Sequence, residues 1–110
     1  MLTINQPIID RIPDLTIPAA AYRPYRVSES LLYVSGQLPL VDGKPTVTGS
    51  VPHDVTEEQA REAAVVCALN ILGWVKHACG GDLSRVKQCI RLGGFVVTAN
   101  GYANAPAIIN

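Results

Sequence analysis

The chain has 110 residues, of which 48% are apolar and only 16% are charged, with nine basic and nine acidic side chains. This length suits one domain with a modest core, and so low a charged fraction predicts an oligomer that covers apolar surface. No basic run is present that would neutralise phosphates, so nucleic-acid binding is not expected.

The first 30 residues are rich in proline, which occurs at positions 7, 13, 18 and 24. Proline lacks a backbone N–H and disrupts helix interiors. We therefore predict extended chain with an edge strand in this segment rather than helix.

The most informative stretch is Leu31-Leu-Tyr-Val-Ser-Gly-Gln-Leu-Pro39. Strand-forming residues run into Ser35-Gly36, which places a hydroxyl and a backbone N–H at a strand end, where glycine lets a ligand approach closely. Alternation predicts a polar face with Tyr33, Ser35 and Gln37 and a core face with Leu32, Val34 and Leu38. A surface strand without function would alternate in the same way.

A tight turn is predicted at Asp42-Gly43, a strong hairpin signal. It would join strand 31–38 to a partner strand at residues 46–48, which ends at Gly49.

A long helix is predicted from about Glu57 to Cys79. Thr56 and Gln59 have the spacing of a capping box, and Gly80-Gly81 would end the helix. Its apolar arc comprises Ala60, Ala63, Ala64, Cys67, Ala68, Ile71, Trp74, Val75 and Ala78. Further apolar residues lie off this arc, namely Val65, Val66, Leu69 and Leu72. The helix therefore needs a second apolar neighbour, either another helix or another subunit.

After the helix, residues 82–86 are predicted to turn the chain back. A long strand should follow, whose first part contains Val86, Gln88, Ile90 and Leu92. Gly93-Gly94 indicates a bulge or a close backbone approach before residues 95–97. Asn104, with Pro106 behind it, is predicted to cap a second helix of which the sequence contains one turn. The predicted element order is β-β-α-β-α.

The three cysteines, Cys67, Cys79 and Cys89, form no CxxC or HxxxH pattern with the two histidines. We predict reduced thiols and no metal site. No window reaches the ~18 apolar residues of a membrane span, and Met1–Asn5 lacks the charged start of a signal peptide. We expect a cytoplasmic protein with no membrane partner.

Together these features resemble the RidA/YjgF-like family. The resemblance rests on residues 32–39, the Asp42-Gly43 turn, Gln59-Ala-Arg61, residues 82–87, Gly94-Phe-Val96 and Ala107-Ile-Ile-Asn110. It covers essentially the whole chain, and the longer N-terminus and the loop at residues 102–106 resemble a divergent branch. Residues 1–110 would be a single domain of this family, incomplete at its C-terminus.

The resemblance implies an α+β, chorismate-mutase-like fold with one mixed sheet and two helices packed on one face. It implies a homotrimer in which three sheets form a barrel with a cleft between each pair of subunits. The second helix would then be the missing neighbour of the long helix.

Archetypal family members hydrolyse reactive enamines and imines, such as 2-aminoacrylate, to 2-keto acids and ammonia without a cofactor. The resemblance thus implies a deaminase that acts on small 2-imino acids. The alternative is a non-catalytic trimeric module that binds small carboxylates or metabolites. A translation-inhibiting ribonuclease is the least favoured alternative, because the composition is neutral.

The resemblance also assigns site residues. Ser35 would be catalytic by orienting water, and Gly36 would bind substrate through its backbone N–H. Tyr22, thirteen residues before the serine, would contact substrate, with Tyr25 as its competitor. Asn110 matches a cleft asparagine at the start of the second helix.

Two further family residues, a carboxylate-binding arginine and a water-orienting glutamate, would lie beyond residue 110. The nearest internal candidate for the arginine is Arg91, which its strand position marks as a solvated or interface charge.

Overall fold

The computed structural model describes residues 6–110, so the prediction about a signal peptide, which concerns Met1–Asn5, lies outside the described residues. The chain divides into two compact units. The described part of the first unit comprises residues 6–37 and 68–90, and the second unit comprises residues 38–67 and 91–110.

The first unit begins with a short helix, α1 (Gln6–Ile9). The prediction of non-helical chain is therefore wrong for these four residues. Pro7 is tolerated because the first turn of a helix needs no N–H donor. The Gln6 amide also donates to the Asp10 carboxylate at 2.9 Å and so ties the turn together.

A hairpin follows, formed by the antiparallel strands β1 (Tyr25–Ser28) and β2 (Leu31–Val34), with Tyr25 opposite Val34. The edge strand expected before residue 30 is thus present. The predicted pairing of residues 31–38 with residues 46–48 is wrong, since β2 pairs with β1 across a two-residue loop. A connection this short keeps the entropy of closing the hairpin low.

Burial in β2 follows the predicted alternation, because Leu32 and Val34 are half-buried whereas Leu31 and Tyr33 are exposed. The assignment of Leu38 to the core is wrong, since it is 66% exposed. The strand ends at Val34, and the period-two rule holds only while the backbone stays extended.

The long helix, α2 (Glu57–Ala78), confirms the prediction. Its capping box is complete: the Thr56 N–H donates to Gln59 Oε1 at 2.9 Å, and the Gln59 N–H donates to Thr56 Oγ at 3.1 Å. Beyond Ala78 the chain leaves the helix through Gly80, whose φ is +65°. Asn70 is the unexpected buried polar residue of this helix.

In the second unit, Asp42 and Gly43 have φ values of +52° and +76° and form the predicted turn. They join β3 (Leu40–Val41) to β4 (Lys44–Pro45), which are shorter than predicted and pair only with each other. The core of this unit consists of Val51, Val55, Ala60 and Ile108.

The predicted second helix is α3 (Ala105–Ile109), with Asn104 at its N-cap position. The prediction that the Asn104 side chain caps this helix is wrong. Its amide makes no cap hydrogen bond and donates instead to the Glu57 carboxylate at 2.9 Å. Of the two alternatives for Gly93-Gly94, a close approach fits Gly94: a Cβ there would lie 2.7 Å from Ile109 Cδ1.

The long strand predicted from Val86 is absent from the described chain. A short 3-10 turn at Leu83–Arg85 reverses the chain as expected, but no strand is assigned over residues 86–97. Alternating apolar residues specify a strand only when another strand supplies hydrogen bonds. Here the nearest approach to pairing is one parallel bridge between Val51 and Thr98.

These elements define the α+β class that was predicted. In place of one mixed sheet with two helices, residues 6–110 contain two two-stranded antiparallel sheets and three α-helices. Within this described range, no helix is both long enough and apolar enough to span a bilayer.

Candidate functional site

The predicted site lies where the chain leaves β2. The Ser35-Gly36 corner, as we call these two residues, is held to the preceding segment by two short hydrogen bonds. The Ser35 N–H donates to the carbonyl of Pro24 at 2.9 Å, and Ser35 Oγ donates to the carbonyl of Arg23 at 2.7 Å. Pro24 is fully buried, so the corner rests on a fixed part of the first unit.

The hydroxyl of Ser35 is therefore oriented. Because its proton points to the Arg23 carbonyl, its lone pairs face away and can accept a hydrogen bond. No histidine or carboxylate among residues 6–110 hydrogen-bonds to Ser35, so nothing here would activate it as a nucleophile. The geometry suits an acceptor that orients a water molecule.

Gly36 and Tyr22 lie side by side. The Tyr22 hydroxyl is 3.4 Å from the Gly36 carbonyl, a long contact, and Tyr22 is 48% exposed. Gly36 is exposed, and its N–H has no hydrogen-bond acceptor among the described residues. The structure thus brings together Tyr22, Ser35 and Gly36 of the predicted site.

Tyr25, the alternative to Tyr22, lies elsewhere in the same unit. Its hydroxyl is 2.7 Å from Nδ1 of His77, and its ring lies 6.3 Å from that of Trp74. His77 lies in the last turn of α2, where basic side chains complement the helix dipole. Its pairing with Tyr25 could not be inferred from the sequence.

Two residues at the corner were not singled out from the sequence. Arg23 Nη1 donates to the carbonyls of Ala20 and Tyr22, at 3.0 and 3.5 Å, and so braces the loop that carries Tyr22. The Gln37 amide donates to the Ser35 carbonyl at 3.0 Å and accepts from Trp74 Nε1 at 3.2 Å. Gln37 could have been identified as a site residue by its place in the Ser-Gly-Gln triplet.

Asn110, the fourth predicted site residue, belongs to the second unit. It is exposed and follows the last residue of α3, where its N–H donates to the Pro106 carbonyl at 3.0 Å. It therefore lies about one helical turn beyond the first residue of α3. Arg91, also in the second unit, is exposed, as expected of a solvated charge.

The most elaborate polar cluster of the second unit surrounds Glu57 at the start of α2. The Glu57 carboxylate accepts from the hydroxyl of Tyr102 at 2.6 Å, from the amide of Asn104 at 2.9 Å and from Arg61 at 2.9 Å. The hydrogen bonds from Tyr102 and Asn104 lower the pKa of Glu57. The hydrogen bond between Tyr102 and Glu57 in turn raises the pKa of Tyr102. This cluster fixes residues 102–104 to the helix.

The three cysteines are free, as predicted, and burial raises the pKa of the Cys67 thiol. Across residues 6–110, histidine, cysteine and carboxylate side chains nowhere form a group of three or more that could hold a metal ion.

The α+β elements and the strand-end corner are those of a known family. The chain belongs to the YjgF/chorismate mutase-like family, since the model described as "YjgF/chorismate mutase-like, putative endoribonuclease" matches residues 9–109. This confirms the resemblance seen in the sequence. Proteins of this family are commonly oligomeric.

Three similar proteins are informative. Protein TCP17 of Trypanosoma cruzi is 33% identical over 100 residues, which are 91% of this chain and 62% of TCP17. The crystal structure of Atu1372 from Agrobacterium tumefaciens, a protein of unknown function, is 45% identical with a TM-score of 0.82, covering 93% of this chain and 66% of that chain. A "putative endoribonuclease" from Shewanella oneidensis is 29% identical with a TM-score of 0.81, covering 93% of this chain and 72% of that chain. The chain thus spans less than two thirds of the length of TCP17.

Proposed function

We propose that the Ser35-Gly36 corner belongs to an active site that hydrolyses small 2-imino acids to 2-keto acids and ammonia. The observation that carries this proposal is the exposed backbone N–H of Gly36 beside an oriented serine hydroxyl and a tyrosine hydroxyl. Family membership supports it, because the resemblance implies this activity for archetypal members.

The reaction needs only a few protein groups. The oxygen of a water molecule bonds to the imine carbon, and its proton passes to the nitrogen. The remaining hydroxyl proton then moves to the amine, the C–N bond breaks to release ammonia, and the carbon becomes the carbonyl of the keto acid. The imine is already electrophilic, so holding the substrate and the water in place supplies most of the catalysis, and no cofactor is required.

Each site residue has one role in this proposal. The Gly36 N–H donates to the substrate carboxylate. Ser35 Oγ accepts from the attacking water, in keeping with the direction of its own hydroxyl proton. Tyr22, whose hydroxyl lies beside the Gly36 carbonyl, contacts the substrate, and Asn110 binds it, as the resemblance implies. We further propose that residues 1–110 form one domain that works as a cytoplasmic homotrimer with clefts between its subunits.

The test couples a serine dehydratase, which releases the imine, to detection of 2-keto acid. We expect this protein to speed hydrolysis, and Ser35→Ala to lower kcat/KM by about tenfold or more, because one orienting hydrogen bond is lost. The matched control is Ser30→Ala, at an exposed serine of the β1–β2 loop, which should leave the rate unchanged. A wild-type protein with no effect on imine lifetime would contradict the proposal.

A non-catalytic carboxylate-binding module is the second candidate. It is favoured by one observation: no histidine or carboxylate side chain among the described residues hydrogen-bonds to the corner. In that case 2-oxobutyrate should bind to the wild-type protein in a calorimetric titration while the coupled assay shows no turnover.

A ribonuclease is the third candidate, and it comes from the printed description of the family and of the Shewanella protein. The zero net charge of this chain argues against it, because phosphate binding draws on lysine and arginine. RNA cleavage that persists in highly purified wild-type protein and is lost in Ser35→Ala would favour it.

A further inference from the structure

We infer that Gln37 is the positioning residue that fixes the direction of the Gly36 N–H. This inference rests on the proposed function, in which that N–H binds the substrate carboxylate. Gln37 does not touch substrate in this scheme. It connects the corner to Trp74 of α2 through the two ends of one amide group.

The orientation of the Gln37 amide follows from its partners. The indole of Trp74 can only donate, so the atom that faces Nε1 at 3.2 Å is the amide oxygen. The amide nitrogen then faces the carbonyl of Ser35 at 3.0 Å, which can only accept. Both ends are thus satisfied in one arrangement, and Trp74, only 7% exposed, provides a fixed anchor.

Holding the Ser35 carbonyl also fixes the Gly36 N–H. These two groups belong to one planar trans peptide, in which C=O and N–H point in opposite directions. Gly36 has no Cβ, and a Cβ built there would meet nothing within 4 Å, so no side chain of its own limits rotation of this peptide. The hydrogen bond from Gln37 is the contact that opposes it.

This arrangement makes a specific prediction about kinetics. Carboxylate binding by Gly36 is felt in the ground state and in the transition state alike, so its loss raises KM and leaves kcat nearly unchanged. A residue that only stabilised the fold would alter the amount of active protein and therefore the apparent kcat.

Three variants test the inference. Gln37→Leu removes both hydrogen bonds. Gln37→Glu keeps an acceptor for Trp74 but, when ionised, has no donor for the Ser35 carbonyl. The control is Ser30→Ala, at the exposed serine of the β1–β2 loop. Because Trp74 is the only tryptophan, one indole N–H resonance and the intrinsic fluorescence report on its bond without ambiguity.

In wild-type protein we expect the Gly36 amide to give one sharp NMR resonance. In Gln37→Leu both the Gly36 and Trp74 indole resonances should move, and KM should rise by about tenfold, the order of one lost hydrogen bond. In Gln37→Glu the Gly36 resonance should move while the indole resonance stays near its wild-type position. Ser30→Ala should match wild type in every measurement.

An unchanged Gly36 resonance in Gln37→Glu, or in Gln37→Leu with a normal circular dichroism spectrum, overturns the inference. If Gln37→Leu does not fold, Gln37→Glu decides alone. Failure of the proposed function looks different: wild-type protein neither hydrolyses imine nor binds 2-oxobutyrate, while the Gly36 resonance still responds to both substitutions at position 37.

Discussion

At the scale of single residues, the chain uses hydrogen-bond direction rather than charge to prepare its candidate site. The Ser35 hydroxyl donates to Arg23, so it can serve a ligand only as an acceptor. The exposed N–H of Gly36 supplies the complementary donor. Such a pair suits a neutral or anionic small molecule together with a water molecule.

The cluster around Glu57 gives the clearest pH dependence. The pKa of Glu57 is lowered and that of Tyr102 is raised, so their contact is favoured while the carboxyl is ionised and the phenol is neutral. A lowered carboxyl pKa means stability that is present above the usual carboxyl range and lost as the pH falls through the lowered pKa. A raised phenol pKa means that the contribution is lost at strongly basic pH.

We therefore expect Tyr102→Phe to lower the melting temperature at pH 7 and to lose its effect in acid. Thermal unfolding measured from neutral to acidic pH checks this. Tyr33→Phe, at a tyrosine that is 59% exposed, is the matched control and should leave the melting temperature unchanged at every pH. Equal destabilisation by Tyr102→Phe throughout the acidic range would contradict the assignment.

At the scale of elements, α2 is specified partly by its own sequence and partly by what packs on it. The capping box of Thr56 and Gln59 involves residues three apart, so the sequence alone predicts it. Gly73 is different. Helix propensity marks it as a weak point that alanine would improve by about 1 kcal/mol. In the structure Gly73 is buried against the N-terminal segment.

We expect Gly73→Ala to destabilise the protein despite this propensity. A Cβ at position 73 would lie 2.8 Å from Leu15 Cδ1 and 3.0 Å from the carbonyl oxygen of Pro13, and the latter is main chain that cannot rotate aside. Overpacking of this kind costs about 1–3 kcal/mol, which exceeds the gain in propensity. Urea unfolding measures the difference.

The double variant Gly73→Ala with Leu15→Ala separates the two contacts. It removes the clash with the Leu15 side chain but leaves the clash with the Pro13 carbonyl. Gly73→Ala should therefore lower the free energy of unfolding by less in the Leu15→Ala background than in the wild-type background. A Gly73→Ala protein more stable than wild type would show that the N-terminal segment does not pack on this helix.

At the scale of the whole molecule, the segment after the 3-10 turn exposes much apolar surface. Ile90 is 72% exposed, Leu92 is 65% exposed, and Phe95 is completely exposed. Large exposed apolar patches usually mark contact surfaces. Together with the low charged fraction, this supports the proposed homotrimer, in which copies of the same chain cover this segment.

We expect the wild-type chain to sediment at about three times its monomer mass of 11.7 kDa. Phe95→Ser should shift it towards monomer without loss of helical circular dichroism, because Phe95 makes little contact within its own chain. The control is Val41→Ser, at a residue 51% exposed in the β3–β4 hairpin. Sedimentation of the wild-type chain as a monomer at micromolar concentration would rule out the assembly.

Features whose interacting residues are neighbours along the chain could be predicted without the structure. The bounds of α2, its capping box, the Asp42-Gly43 turn and the Ser-Gly strand end all depend on spacings of one to four residues. The family could also be read from the sequence, because its motifs are contiguous.

Contacts between residues far apart along the chain could not be predicted from sequence patterns. The contact of Glu57 with Tyr102 and the bridge from Gln37 to Trp74 depend on chain closure and packing. The apolar alternation after Val86 shows the limit most clearly, since a strand exists only when another strand completes its hydrogen bonds. The side-chain pattern of a segment indicates which secondary structure it favours. Which other segments it pairs with depends on the free energy of the whole fold.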